Sequence, residues 1–152
     1  MSHHVADVRW SRDDHRFTYD DYCRDHLWSF DSGITVTASA SPVYRGGEHA
    51  VDPEEAFVAA VSSCHMLTFL SIAARKRLVI DAYADHAVGE MAENSAGRLA
   101  ITRIVLSPSI SWADGVPADD VVERMHHLAH QECFIANSLR SEMDVQATVV
   151  VA

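Results

Sequence analysis

The stretch from Asp52 to Arg77 restricts the fold of this chain more than any other. Asp52 is a good N-cap acceptor, Pro53 suits a first helical position, and Glu55 completes a D-x-x-E capping box. Acidic residues at the start, and Arg75, Lys76 and Arg77 at the end, complement a helix macrodipole. Between these ends the residues are almost all apolar or small on every face, with Ser62, Ser63 and His65 as interruptions. A soluble helix that is apolar all round is one the rest of the protein covers. The charged flanks and polar interruptions read as a buried helix and not a membrane span. Cys64 lies in the middle of it.

A chain of 152 residues, 48% of them apolar, can bury a real core and is expected to form a single domain over 1–152. Its formal charge of −10 argues against a nucleic-acid partner, because a phosphate backbone needs a basic patch. The one basic cluster is already explained by the helix end. The N-terminal residues show no basic segment followed by an apolar one, so a cytoplasmic location is expected. Three cysteines, Cys23, Cys64 and Cys133, are far apart and lack a CxxC spacing, unlike a secreted disulfide framework.

Upstream of the helix, alternation predicts strands over 5–10, 15–19, 26–30 and 34–40, with a turn at Asp31-Ser32-Gly33. A loop with Pro42, Gly46 and Gly47 as breakers leads into the helix. Downstream, two long strands over 78–93 and 98–112 are joined by a hairpin turn at Asn94-Ser95-Ala96-Gly97. Leu99, Ile101, Ile104 and Leu106 break strict alternation, which predicts a bulge or two-sided burial. Pro117 opens a second helix whose apolar positions are Val121, Val122, Met125 and Leu128. A short helix or turn over 133–139 and a strand over 145–151 close an α+β domain.

Read from spacing alone, Cys64 is a small buried hydrophobe, and a mid-helix position offers no N-terminal dipole to favour its thiolate. Cys133, just past the second helix, reads the same way. Two cysteines on separate helices make one dithiol site only if those helices pack together. His126, His130 and Cys133 recur at i, i+4 and i+7, and with Cys64 would offer four zinc ligands, but no acidic general base accompanies them. A Cys–His nucleophile pair is a third reading. Adjacent His65 is a poor partner for it, pointing about 100° away on the same helix.

The run Val51-Asp52-Pro53-Glu54-Glu55-Ala56-Phe57-Val58-Ala59-Ala60-Val61-Ser62-Ser63-Cys64 resembles the N-P-E-x-x-x-A-A-x-x-x-C stretch of the OsmC/Ohr family of thiol peroxidases. Cys133-Phe134-Ile135-Ala136-Asn137-Ser138-Leu139 is similar to that family's second signature, C-P-x-S-N-A-L. The resemblance extends over essentially the whole chain and is nearest to a less-studied OsmC-like branch. It implies an OsmC-like fold: antiparallel sheets wrapped around a long buried central helix and a second, shorter helix, in an intertwined homodimer. It also implies reduction of organic hydroperoxides without metal or other cofactor, Cys64 being the peroxidatic cysteine and Cys133 the resolving one. A lipoyl-type dithiol would be the reductant.

In the same way Glu54 takes the place of the motif's carboxylate, which works with an arginine to hold the thiolate. Arg45, in the loop before the helix, fits the position used by the OsmC-type branch and is preferred. Arg24 lies in a stretch resembling the R-x-H-x-W pattern of the less-studied branch. Ten residues of helix put Glu54 about 15 Å from Cys64, too far for contact within one helix, so Glu54 is expected to serve the partner chain. Asp52 for Asn, Phe134 for Pro and His65 for a more apolar residue depart from the pattern, and Cys23 has no assigned role. The alternative is a non-catalytic dimer of the same fold that binds a small apolar ligand or responds structurally to redox change.

Overall fold

A computed structural model describes residues 1–149. By internal contacts the chain divides into two compact units, Met1–Ala56 and Phe57–Ala152. In the first, β1 (Ala6–Arg9), β2 (His26–Phe30) and β3 (Thr35–Ala38) form an antiparallel sheet in that order. Gly33 takes the β2–β3 turn with φ at +82°, where a side chain would be strained. The strand expected over 15–19 is absent; those residues turn, and Phe17 packs with Trp10 and Tyr22 instead of pairing in the sheet. A 3₁₀ turn at Pro42–Tyr44 follows β3, and a Cβ at Gly46 would collide with the Ala40 carbonyl.

Helix α1 spans Pro53–Arg75. The capping box forms as the sequence predicts: the Glu55 N–H donates to Asp52 Oδ1 at 2.7 Å, and the Asp52 N–H to Glu55 Oε2 at 3.2 Å. At its far end Arg77 adopts φ +60° while the Leu78 and Arg77 N–H groups return to the Ala73 and Ala74 carbonyls, a Schellman closure.

The second unit carries β4 (Ile80–Asp85), β5 (Val88–Glu93), β6 (Leu99–Leu106), β7 (Pro108–Trp112), α2 (Asp119–Glu132), β8 (Glu142–Val145) and β9 (Thr148–Val149). The two long strands expected from the sequence each break into a pair, so that β4-β7-β9 and β5-β6-β8 are separate sheets. Asp85 holds the break, its carboxylate accepting the Ser107 N–H at 2.7 Å and the Ser62 hydroxyl. The Asn94 turn is present, with Gly97 at φ +68°, and the expected bulge falls at Thr102, skipped between Glu90↔Arg103 and Met91↔Ile101.

The sheets are not wholly antiparallel: β8 joins β6, and β9 joins β7, in parallel. Parallel neighbours need a long crossover, and α2 with its following turn supplies it. The strand expected over 145–151 is β8 and β9 instead, and its last residues, 150–152, lie outside the described ones.

One stripe of α1 is buried: Val61, His65, Phe69, Ile72 and Ala73. Val61 packs with Ile104 and Leu106 of β6, while Phe69, Ile72 and Ala73 pack with Ile110 and Trp112 of β7 and with Val122, Met125 and Ala129 of α2. Of the apolar positions of α2, Leu128 is exposed, and His126 is buried with Val122, Met125 and Ala129. The all-round cover expected for α1 is not supplied by one chain, since Phe57 and Leu67 remain 38% and 61% exposed. Phe69 is wholly buried and touches Tyr83, Trp112 and His126, so Phe69→Ala should cost about 3–5 kcal/mol in a urea denaturation series.

Candidate active site

Within the second unit, α1 presents Cys64 on the side away from the buried stripe. There it lines a groove of about 950 Å³ whose wall along α1 includes Ala60, Leu67, Ser71 and Arg75. Phe134, Ile135 and Asn137, in the turn after α2, form the other side. That turn is closed by the Asn137 N–H on the Cys133 carbonyl and by the Asn137 amide on the Gln131 carbonyl, at 3.0 and 2.9 Å. It stands where the family pattern has a proline, and Phe134 leaves it 83% exposed.

The same turn buries Cys133 completely and directs the Ala136 N–H at its Sγ, 3.4 Å away. The Cys133 thiol is also hydrogen-bonded to Cys64. Burial first, and then that hydrogen bond, push Cys133 up to about 11. Near neutral pH Cys133 is therefore a thiol. The two cysteines are brought together as a reduced pair.

The remaining sequence candidates lie in the first unit. Arg45 is exposed, ion-paired to Asp20 and stacked 5.3 Å from the Tyr19 ring. Arg24 is half-buried, 4.1 Å from the Tyr22 ring, and donates to the Tyr22 and Tyr19 carbonyls; among the described residues no carboxylate pairs with it. The R-x-H-x-W spacing has a physical meaning here. The Trp28 indole donates to His26 Nε2 at 2.9 Å, which leaves His26 Nδ1–H to donate to the Arg24 carbonyl at 2.9 Å. Glu54 sits half-buried in the first turn of α1. Cys23 is half-buried, and its carbonyl accepts the Trp10 indole at 2.7 Å.

The His126, His130, Cys133 triplet does not converge. His130 is exposed, Cys133 meets Cys64, and His126 faces His65, with Nε2 of His65 and Nδ1 of His126 3.1 Å apart. Among the described residues no three His, Cys, Asp or Glu side chains cluster as a metal site. The buried histidine pair went unrecognised in the sequence, although Val61, His65 and Phe69 recur at the four-residue spacing of one helix face.

A family model described as OsmC-like protein matches residues 46–148. This chain belongs to the OsmC-like family. It is 47% identical to an OsmC-like protein of unknown function from Vibrio cholerae, with a TM-score of 0.92 over 99% of this chain and 100% of that one. An organic hydroperoxide resistance protein from Elizabethkingia anophelis, 17% identical, superposes with a TM-score of 0.73 over 100% of this chain and 98% of that one. One from Legionella pneumophila, 16% identical, does so at 0.70 over 99% and 98%. These two establish a shared fold. Among curated proteins, none matches the sequence.

The histidine pair makes the OsmC-like core sensitive to acid. Burial is the main cause in both rings; for His126 the neighbouring His65 adds to it, and for His65 the effect of His130 is opposed by Asp85. Both imidazoles are pushed down to about 4 from an ordinary 6.5, so the folded protein favours the neutral rings. The unfolded chain takes up protons first, and this contribution is full above about pH 6.5 and lost as pH falls towards 4. The urea midpoint should drop more steeply across that window for the wild type than for a folded His65→Gln/His126→Gln variant.

Proposed function

We propose that this OsmC-like protein is a cysteine-based peroxidase that reduces organic hydroperoxides to alcohols. The observation carrying the proposal is a buried Cys133 thiol hydrogen-bonded to Cys64, which opens onto a groove with apolar walls. Family membership and the shared fold with organic hydroperoxide resistance proteins support the same reading. In the proposed reaction the Cys64 thiolate attacks the outer peroxide oxygen, and the O–O bond breaks. The alkoxide takes a proton and leaves as the alcohol, with Cys64 now a sulfenic acid. Cys133, as thiolate once its proton has moved to the departing oxygen, attacks the Cys64 sulfur, and water leaves as the disulfide forms. The disulfide keeps Cys64 from irreversible over-oxidation. A lipoyl-type dithiol returns two electrons by thiol–disulfide exchange.

The guanidinium proposed to favour the Cys64 thiolate is that of Arg24, whose charge is not spent on a carboxylate as that of Arg45 is on Asp20. A homodimer of single 1–152 domains is proposed because a second copy would cover the side of α1 where Phe57 and Leu67 are exposed. In such a dimer each Glu54 would serve the partner's Cys64. The proposed setting is the cytoplasm, whose reducing pool suits a dithiol-dependent enzyme.

With cumene hydroperoxide and a dithiol reductant, Cys64→Ser should abolish turnover, and Cys133→Ser should allow one turnover and then accumulate over-oxidised Cys64 by mass spectrometry. Thiols that react slowly and form no Cys64–Cys133 disulfide would sink the proposal in favour of a non-catalytic ligand-binding dimer. Mixing Glu54→Ala chains with Cys64→Ser chains should restore part of the activity in the heterodimer. No recovery in confirmed heterodimers would remove Glu54 from the partner's site.

A further inference from the structure

Among the described residues Arg24 has no carboxylate partner, although Asp20, Asp21 and Asp25 all lie within four residues of it. Each of those acids is engaged elsewhere. Asp20 pairs with Arg45, Asp21 accepts the Thr18 hydroxyl at 2.7 Å and faces Arg16 at 4.0 Å, and Asp25 faces His49 at 3.5 Å. The Arg24 guanidinium donates instead to the Tyr22 carbonyl at 3.0 Å and the Tyr19 carbonyl at 2.8 Å, with its central carbon 4.1 Å from the centre of the Tyr22 ring. Two of its five N–H donors are thereby used, and the others are left for an anion. A turn that only joined β1 to β2 would not need to keep a guanidinium from the acids beside it.

The frame that holds Arg24 is built from both sides. Tyr22, beneath the guanidinium, packs against Trp10 and Phe17 with ring centres 6.3 and 5.7 Å apart, and the Trp10 indole donates to the Cys23 carbonyl at 2.7 Å. The next carbonyl, that of Arg24 itself, accepts from His26 Nδ1 at 2.9 Å. His26 pairs with Ala38 in the sheet, so this last bond ties the segment carrying Arg24 to a paired strand. The spacing follows from the strand. His26 and Trp28 are alternate residues of β2 and share a face, and Arg24 lies two positions before His26, where the same alternation would continue. An indole N–H only donates, so its bond to His26 Nε2 keeps the proton on Nδ1, the nitrogen that meets the Arg24 carbonyl.

We propose that His26, held in one tautomer by Trp28, is a positioning residue that aims the Arg24 guanidinium at the anion it serves. This rests on the reading in which that anion is the Cys64 thiolate, and the experiment below separates the two. His26 touches no reacting atom; it acts through the Arg24 backbone.

The full-length protein is alkylated with iodoacetate and with iodoacetamide, and the Cys64 peptide is followed by mass spectrometry. Both reagents meet the same sulfur, so the ratio of their rates reports the charge beside it and not the amount of thiolate. Arg24→Gln should lower the iodoacetate-to-iodoacetamide ratio about fivefold, the effect on an anion of losing one unit charge a few ångström away in water. His26→Ala should lower it nearly as far, and should lower it no further when added to Arg24→Gln. Two amides separate positioning from support of the fold. His26→Asn, whose amide stands where Nδ1 does, should keep most of the ratio and of kcat/KM with cumene hydroperoxide. His26→Gln, whose amide reaches the Nε2 position, should lose both at a similar urea midpoint. A ratio that falls in Arg24→Gln but holds in His26→Ala, or losses that follow only the urea midpoints, would overturn the role of His26. An unchanged ratio in Arg24→Gln would remove Arg24 from Cys64, and His26 with it. If the ratios fall as expected in a protein whose wild type does not reduce cumene hydroperoxide, the positioning role stands and the peroxidase reading fails.

Discussion

The second unit depends on how α1 is buried on one side only. Val61, His65, Phe69, Ile72 and Ala73 go into the core, and each large apolar side chain removed from water contributes about 1.5–3 kcal/mol. That stripe needs two surfaces because it is long: β6 beneath Val61, and β7 with α2 beneath Phe69 and Ile72. The breaks at Asp85 and Ser107 divide what would be one long hairpin into those two surfaces. What is left of α1 faces outward, and Cys64 is on that side.

The chemistry of the site follows from unequal environments of two identical groups. Cys133 is sealed beneath the turn after α2, where low polarity penalises a thiolate, and its proton is held further by the bond to Cys64. Cys64 is half-buried and lines an open groove. One sulfur is thereby kept as a proton-bearing partner while the other meets what enters. The division of labour needs no difference between the residues themselves, only between their surroundings.

The core accepts a cost in the same region. His65 and His126 pair with each other, yet His65 Nδ1 and His126 Nε2 have no partner among the described residues. Unsatisfied buried nitrogens oppose folding, and stacking of His126 against Phe69 at 4.2 Å offsets part of that. In the first unit polar groups are satisfied more completely: Trp28, His26 and the Arg24 carbonyl form a relay in which each ring nitrogen has one defined role.

Local chemistry was legible in the order of the residues. The Asp52–Glu55 capping box, the Asn94–Gly97 turn, the turn after Cys133 and the bulge in the strand ending in Leu106 all formed as their residue types require, because each is decided by groups a few positions apart. The two cysteine motifs, taken as a resemblance, also identified the family. Periodicity could not reveal the split of the long strands, the parallel addition of β8 and β9, the loss of the expected strand over 15–19, or the meeting of His65 with His126. Each is settled by pairing between distant segments, to which alternation in one strand is blind. The sequence by itself determined that a capped apolar helix would form with Cys64 midway along it, since backbone hydrogen bonds and caps are local. Only the tertiary structure decided which face of that helix was buried, and so which thiol was sealed and which was left open, because burial depends on what packs opposite.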